Sequence, residues 1–153
     1  MNKIQFFVTG IPKPGGSKNA FRNKKTGKIM VVDTCKTVMV WRNAVSAYAA
    51  KAMSGREIFT GPLLLTVTFY MPRPKSHYKT GKNAGQLKSN APFWHTKKPD
   101  RTKLLRSTED AMTGIVWVDD SQVVSGPVKK IYVLPWGPEG GNIGASIMIE
   151  EVE

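Results

Sequence analysis

PLLLTVTFYM, residues 62–71, is the stretch on which the fold turns. After Pro62 it is a continuous run of apolar, β-branched and aromatic residues. A strand covered on one face alternates apolar with polar side chains, whereas an unbroken run is covered on both. The stretch therefore predicts a central buried strand, and the flanking segments must supply its neighbours. Upstream, KIQFFVTG (3–10) reads as a first strand and IPKPGGSK (11–18) as a loop rich in proline and glycine. FRNKKTGKIMVV (21–32) reads as a hairpin turning at KKTGK. Asp33 is placed to cap a helix running to about Met53, with Val38, Trp41, Val45, Tyr48 and Ala52 as its buried face. Lys36, Arg42 and Lys51 fall off that face. Downstream, RTKLLRSTEDAMT (101–113) predicts a second helix, buried through Leu104, Leu105, Thr108, Ala111 and Met112 and stopped by Gly114. SQVVSGPVKKIYVLPW (121–136) reads as strand, turn, strand. GPEGG (137–141) is a turn, and NIGASIMIEEV (142–152) is the last strand. The expected fold class is α+β: one domain over residues 1–153, a mixed sheet packed with two main helices.

Between the central strand and the second helix lies a polar segment, residues 72–98, with seven Lys/Arg and no acid. A loop this long inside a compact domain is functional or disordered. Phe93, Trp94 and His95 beside Lys97 and Lys98 suit stacking on exposed bases; the alternative is an aromatic anchor that pins the loop to the core.

Charge divides the chain. The 153 residues carry net +12, but residues 1–99 alone hold 18 basic residues against Asp33 and Glu57, net +16. Residues 100–153 are net −4. A basic surface recruits polyanions by releasing their counterions. Five acids nevertheless fall within 100–120: Asp100, Glu109, Asp110, Asp119 and Asp120. They would weaken that recruitment unless a cation sits among them. A helix of about 13 residues spans roughly 20 Å. If the chain after Gly114 runs back along it, Asp119 and Asp120 return to the level of Asp100. Hard carboxylate oxygens gathered there suit Mg²⁺ or Mn²⁺; the alternative on spacing alone is a helix cap and a turn. Asp110 lies about 15 Å of helical rise beyond Asp100, so it and Glu109 read as helix-surface or ion-pair residues.

Other chemistries find little support. PKPGGSK lacks the spacing of a phosphate-binding loop. His77 and His95 are 18 residues apart, with no partner one helical turn away, which argues against a histidine zinc site. The single Cys35 excludes an intramolecular disulfide; it reads as a half-buried helix residue in a reducing cytoplasm. No apolar run reaches the length of a membrane span.

KPDRTKLLRSTEDAMTGIVWVDDSQVV (98–124) resembles the signature of the RusA family of Holliday junction resolvases, endodeoxyribonucleases often carried by phages and prophages. The family pattern is Pro-Asp-x-Asp-Asn-Leu-x-Lys, then Asp-Ala-Leu, then a hydrophobic-aromatic step into Asp-Asp-x-Gln-Val. The resemblance implies a RusA-like fold and a homodimeric, Mg²⁺-dependent enzyme in the cytoplasm, that of the bacterial host if phage encoded. It would nick two strands of a four-way junction symmetrically, with no membrane and no small-molecule cofactor. Asp100 and Asp120 match the family's metal-binding carboxylates, with Asp119 beside the second and Asp110 on the helix Asp. Arg106 stands where the family has a functional Lys; it keeps the charge but cannot act as a general acid. Thr102 replaces the second family Asp, offering a metal ion a neutral hydroxyl, and Lys103 replaces the following Asn. Either the chain cleaves with Asp100, Asp119 and Asp120, or it is a catalytically impaired junction binder. Lys13, Lys18, Arg22, Lys24 and Lys25 would grip junction arms together with Lys75, Lys79, Lys82, Lys97 and Lys98 of the long loop and Lys103. The rival from another class is a non-catalytic basic nucleic-acid-binding module, indifferent to Mg²⁺ and to Asp120→Asn.

Overall fold

The computed structural model describes residues 2–15, 18–33, 37–135 and 141–153, with backbone alone at 18–21 and 30–33. The apolar run becomes strand β4, Leu63–Met71, and it is central. On one side it pairs antiparallel with β7, Gly144–Glu151, which pairs with the edge strand β1, Lys3–Thr9. On the other it pairs parallel with two short strands in succession, β5, Val123–Ser125, and β6, Val128–Tyr132. The result is a mixed five-stranded sheet carrying two helices, an α+β fold. The expected hairpin forms apart from this sheet, as β2, Lys18–Arg22, against β3, Ile29–Asp33. Asn23 Oδ1 accepts from the backbone N–H groups of Lys25 and Thr26 and shapes its turn.

Leu63, Leu65, Val67 and Phe69 point to the helical face and are fully or almost fully buried. There they join Ile147 and Ile149 of β7, Trp41 and Val45 of helix α1 (Val38–Ala52), and Leu104 and Met112 of helix α2 (Arg101–Met112). Two bonds tie the helices together: Trp41 Nε1 donates to Thr108 Oγ1 at 3.1 Å, and Ser46 Oγ to the Ala111 carbonyl at 2.8 Å. Among the described residues, no helix is long and apolar enough to cross a membrane.

Two expectations need correction. Asp33 does not cap α1: it ends β3, opposite Lys18, and α1 begins after Thr37. The buried face of α1 runs Val38, Trp41, Val45, Ala49, so Tyr48 falls on the exposed side and Ala52 is half-buried. Strand, break and strand follow one another at SGP as expected, and β5 and β6 run in one direction along β4. Gly126 makes the break between them, because a Cβ there would lie 1.8 Å from the Leu65 carbonyl oxygen. Cys35, Lys36 and the GPEGG turn up to Gly140 lie outside the described residues.

Candidate active site and nucleic-acid interface

Asp100 immediately precedes α2, and the segment leading to it is pinned from beneath. Lys130 Nζ, on β6, donates to the carbonyls of Lys97 and Pro99 at 2.7 Å each. Desolvation lowers the Lys130 pKa and nearby Asp100 raises it in opposition. The Asp100 carbonyl accepts the first helical bond from Leu104, but its carboxylate makes no capping bond to the helix. It faces Lys103 Nζ at 3.9 Å instead. Thr102 is exposed in the first turn.

The Pro/Gly/Lys loop after β1 lies against the same end of α2. Gly15 N–H donates to the Lys103 carbonyl at 2.9 Å, and Ser107 Oγ to the Lys13 carbonyl at 2.5 Å. The approach favours glycine, since a Cβ on Gly15 would stand 3.0 Å from Ser107 Cβ and 3.3 Å from its Cα, a tight contact. Lys13 is thereby brought into one cavity with Asp100, Lys98 and Lys103.

Asp120 belongs to the other end of α2. Its Oδ1 accepts from Thr113 Oγ1, at the helix C-cap, and from Trp117 Nε1 at 3.0 Å. Asp119 opens a 3₁₀ turn, Asp120–Gln122, and spends Oδ1 on the Ser121 N–H at 2.8 Å. That bond holds its pKa below the ordinary value. Gln122 fixes the turn in space. Its Oε1 accepts from the N–H groups of Val118 and Asp119 at 2.8 and 2.9 Å, and its Nε2 donates to the carbonyls of Phe59 and Gly61 at 3.0 Å.

The carboxylates therefore do not converge within one chain. α2 has twelve residues, a rise of roughly 18 Å, with Asp100 at its start and Asp120 bonded to its last turn. The expected run back along the helix fails at Gly114. Its φ of +82° turns the chain sharply, and the N–H groups of Ile115 and Val116 bond back to the Met112 carbonyl. Burial of Val116 and Trp117 holds the segment there. Arg106 is exposed between the two ends, on the face that also carries Thr102 and Asp110.

The same geometry gives Asp120 other neighbours. The Glu109 pKa is raised from its ordinary 4.5 to about 7, by desolvation first, then by Asp120 and Asp110. These three acids lie at the negative end of the helix dipole, and the last turn of α2 carries no basic residue. Among the described residues none of them forms an ion pair, which leaves Glu109 and Asp110 with the helix-surface reading, Asp110 exposed and Glu109 half-buried. Nor do the described residues contain three His, Cys, Asp or Glu arranged to hold a metal ion. The donor chemistry suits a hard divalent cation, but each end of α2 supplies only part of a site.

The cations expected to grip DNA lie mostly at the surface. Arg22, Lys24, Lys25, Lys75, Lys79, Lys82, Lys97 and Lys98 are exposed, while Lys13 is half-buried and the Lys18 side chain lies outside the described residues. The long loop is ordered by two 3₁₀ turns, Lys75–His77 and Gly81–Asn83, and by Arg73. Arg73 donates to the carbonyls of Val133 and Pro92 at 2.8 and 2.7 Å and lies over the Tyr132 ring at 5.1 Å. The aromatic trio divides between its two readings. His95 is buried edge-on against Tyr132 and anchors the loop, whereas Phe93 and Trp94 are 44% and 55% exposed.

Four contributions escaped the sequence reading. Gln122 sat inside the motif, and its amide beside two aspartates was the available signal. Gly15 and Ser107 join segments 92 residues apart, and Lys130 reaches carbonyls over 30 positions away; spacing carries no trace of such contacts.

The described residues present a basic surface with acids at both ends of one helix, and the comparison of sequences gives the class of protein. Residues 12–135 match the family Endodeoxyribonuclease RusA, and the chain belongs to that family. These are Holliday junction endonucleases that act on branched DNA and generally depend on divalent metal ions. The chain is also 31% identical over 133 residues to the uncharacterized protein YqaN of Bacillus subtilis (strain 168), covering 86% of this chain and 89% of that one.

Proposed function

We propose that this chain is a Mg²⁺- or Mn²⁺-dependent resolvase that binds four-way DNA junctions as a homodimer and makes paired, symmetric nicks. One observation carries the reading beyond family membership. Glu109, Asp110 and Asp120 crowd the wrong end of a helix dipole with no ion pair among the described residues, an arrangement that costs stability unless an ion joins it. A second copy answers the separation of Asp100 from Asp120. With the two α2 helices antiparallel about a two-fold axis, the start of each would lie by the end of the other, creating two equal sites at once.

Asp100 of one copy, with Asp120 and Asp119 of the other, would hold the ion. A divalent ion so placed supplies charge stabilisation at the scissile phosphate. Arg106, between the ends of α2, would bind phosphate oxygens through its planar fork. Thr102 would offer a neutral oxygen where the family pattern has a carboxylate. Lys24, Lys25 and the loop lysines would hold the junction arms, and Phe93 and Trp94 offer stacking surfaces for bases exposed near the branch.

The test is cleavage of a labelled synthetic junction with Mg²⁺, with Mn²⁺ and with chelator. Paired nicks that vanish in chelator and in Asp120→Asn, with junction binding retained, are expected. Tight binding without nicks, and cleavage gained by Thr102→Asp, would instead show that the chain keeps the grip and lacks the metal. Undiminished cutting by Asp120→Asn would refute the site.

A further inference from the structure

We infer that the cavity beside Asp100 is a nucleotide pocket, which seats one deoxynucleotide of the DNA substrate with its base out of the stack. This rests on the chain's being a branched-DNA nuclease, but the pocket has chemistry of its own.

The cavity measures about 460 Å³, within the range that encloses small ligands. Three segments with no sequence proximity build it: the loop after β1, the end of β4, and the end of the basic loop where it enters α2. Its walls are flat and apolar, from Pro12, Pro14, Pro72 and Pro99 with Met71. Extruded bases are held between apolar and aromatic surfaces of this kind. Lys13, Lys98 and Lys103 also line it, against the one carboxylate of Asp100, and leave it net cationic. A bare phosphate has no use for four proline rings, and an apolar ligand has none for three lysines. A nucleotide uses both.

His95 adds the polar contact. It lines the cavity, is 8% exposed, and its Nδ1 has no hydrogen-bond partner among the described residues. Buried polar atoms are nearly always satisfied, and this one lacks a partner within a ring that lines the cavity. Burial, and Lys130 nearby, hold the His95 pKa below its ordinary value. A neutral imidazole offers one donor and one acceptor, like the edge of a base.

Histidine makes the test direct, because the chain has two, and His77 lies outside the cavity. Deoxynucleoside 5′-monophosphates are titrated into the parent while both imidazoles are followed by NMR. The expected result is a saturable shift of His95 with His77 unmoved, and its loss in Ile11→Trp or Pro14→Trp, either of which fills the cavity. Inorganic phosphate should bind at least about tenfold more weakly. Equal binding of phosphate alone, equal movement of both histidines, or no shift at millimolar nucleotide would each overturn the pocket.

A second arm separates a free nucleotide from one within DNA. A junction carrying 2-aminopurine at the branch is bound to Asp120→Asn, with binding confirmed by gel mobility. A several-fold rise in fluorescence that Ile11→Trp abolishes supports extrusion into this pocket. Quenched fluorescence in the bound parent-cavity complex refutes it. A junction that never binds sinks the resolvase reading and this role in DNA together, while the mononucleotide arm still decides whether a nucleotide pocket exists.

Discussion

At the residue scale, the adjacent aspartates do different work. Asp119 closes its own turn through the Ser121 N–H, while Asp120 faces Thr113 and Trp117 at the end of α2. Gln122 sets their position, with four hydrogen bonds to two separate stretches of backbone. Gln122→Ala should cost about 2 kcal/mol of stability in a urea titration, since it leaves backbone groups unpaired. It should also reduce cleavage by displacing Asp120. Glu109 is the second residue with a readable consequence. Its carboxyl is raised from 4.5 to about 7 when folded, so the stability tied to its neutral form is fully present below about pH 4.5. That stability is lost as pH rises through about 7. Glu109→Gln should remove this dependence and gain about 1 kcal/mol at pH 8, after solvent screening of a half-exposed group is discounted. Titration of Glu109 by NMR with a midpoint near 4.5 would contradict the crowding of acids described at the end of α2.

At the element scale, α2 is the scaffold on which both ends of the proposed site would be built. Its start is held by contacts from the loop after β1 and from β6. Lys130→Met should release the Lys97 and Pro99 carbonyls, speed amide exchange in residues 97–100, and lower cleavage more than junction binding. Unchanged exchange there would mean that Lys130 holds nothing. The helices and the central strand were legible because their signals are local: an unbroken apolar run for β4, helical spacing for α1 and α2, and a glycine stop at Gly114. What the sequence could not show was direction. The same Gly114 admits a chain that runs back along α2 or one that folds tightly over its end. Burial of Val116 and Trp117 against the core decided for the second. SGP reads as a turn between strands without giving their relative direction, and close approach to the Leu65 carbonyl makes Gly126 an interruption in a single sheet edge. Tyr48 was misplaced because helical spacing permits a step of three or four, and packing chose Ala49.

At the scale of the whole molecule, the motif names candidate site residues, but it does not show their arrangement. Asp100 and Asp120 match the signature of one active site and stand at opposite ends of a helix. Two chains resolve this if each active site takes Asp100 from one copy and Asp120 from the other. The direct test mixes two variants, Asp100→Asn and Asp120→Asn, each expected to be inactive alone. If sites are shared between copies, a mixed dimer contains one site with both aspartates intact. After subunit exchange, nicking of a four-way junction should return to roughly a quarter of the parent's rate, since about half the dimers are mixed and each has one working site. The nicks should be single rather than paired. A mixture as inactive as its components, with exchange verified, would contradict the shared site and leave each chain to assemble its own.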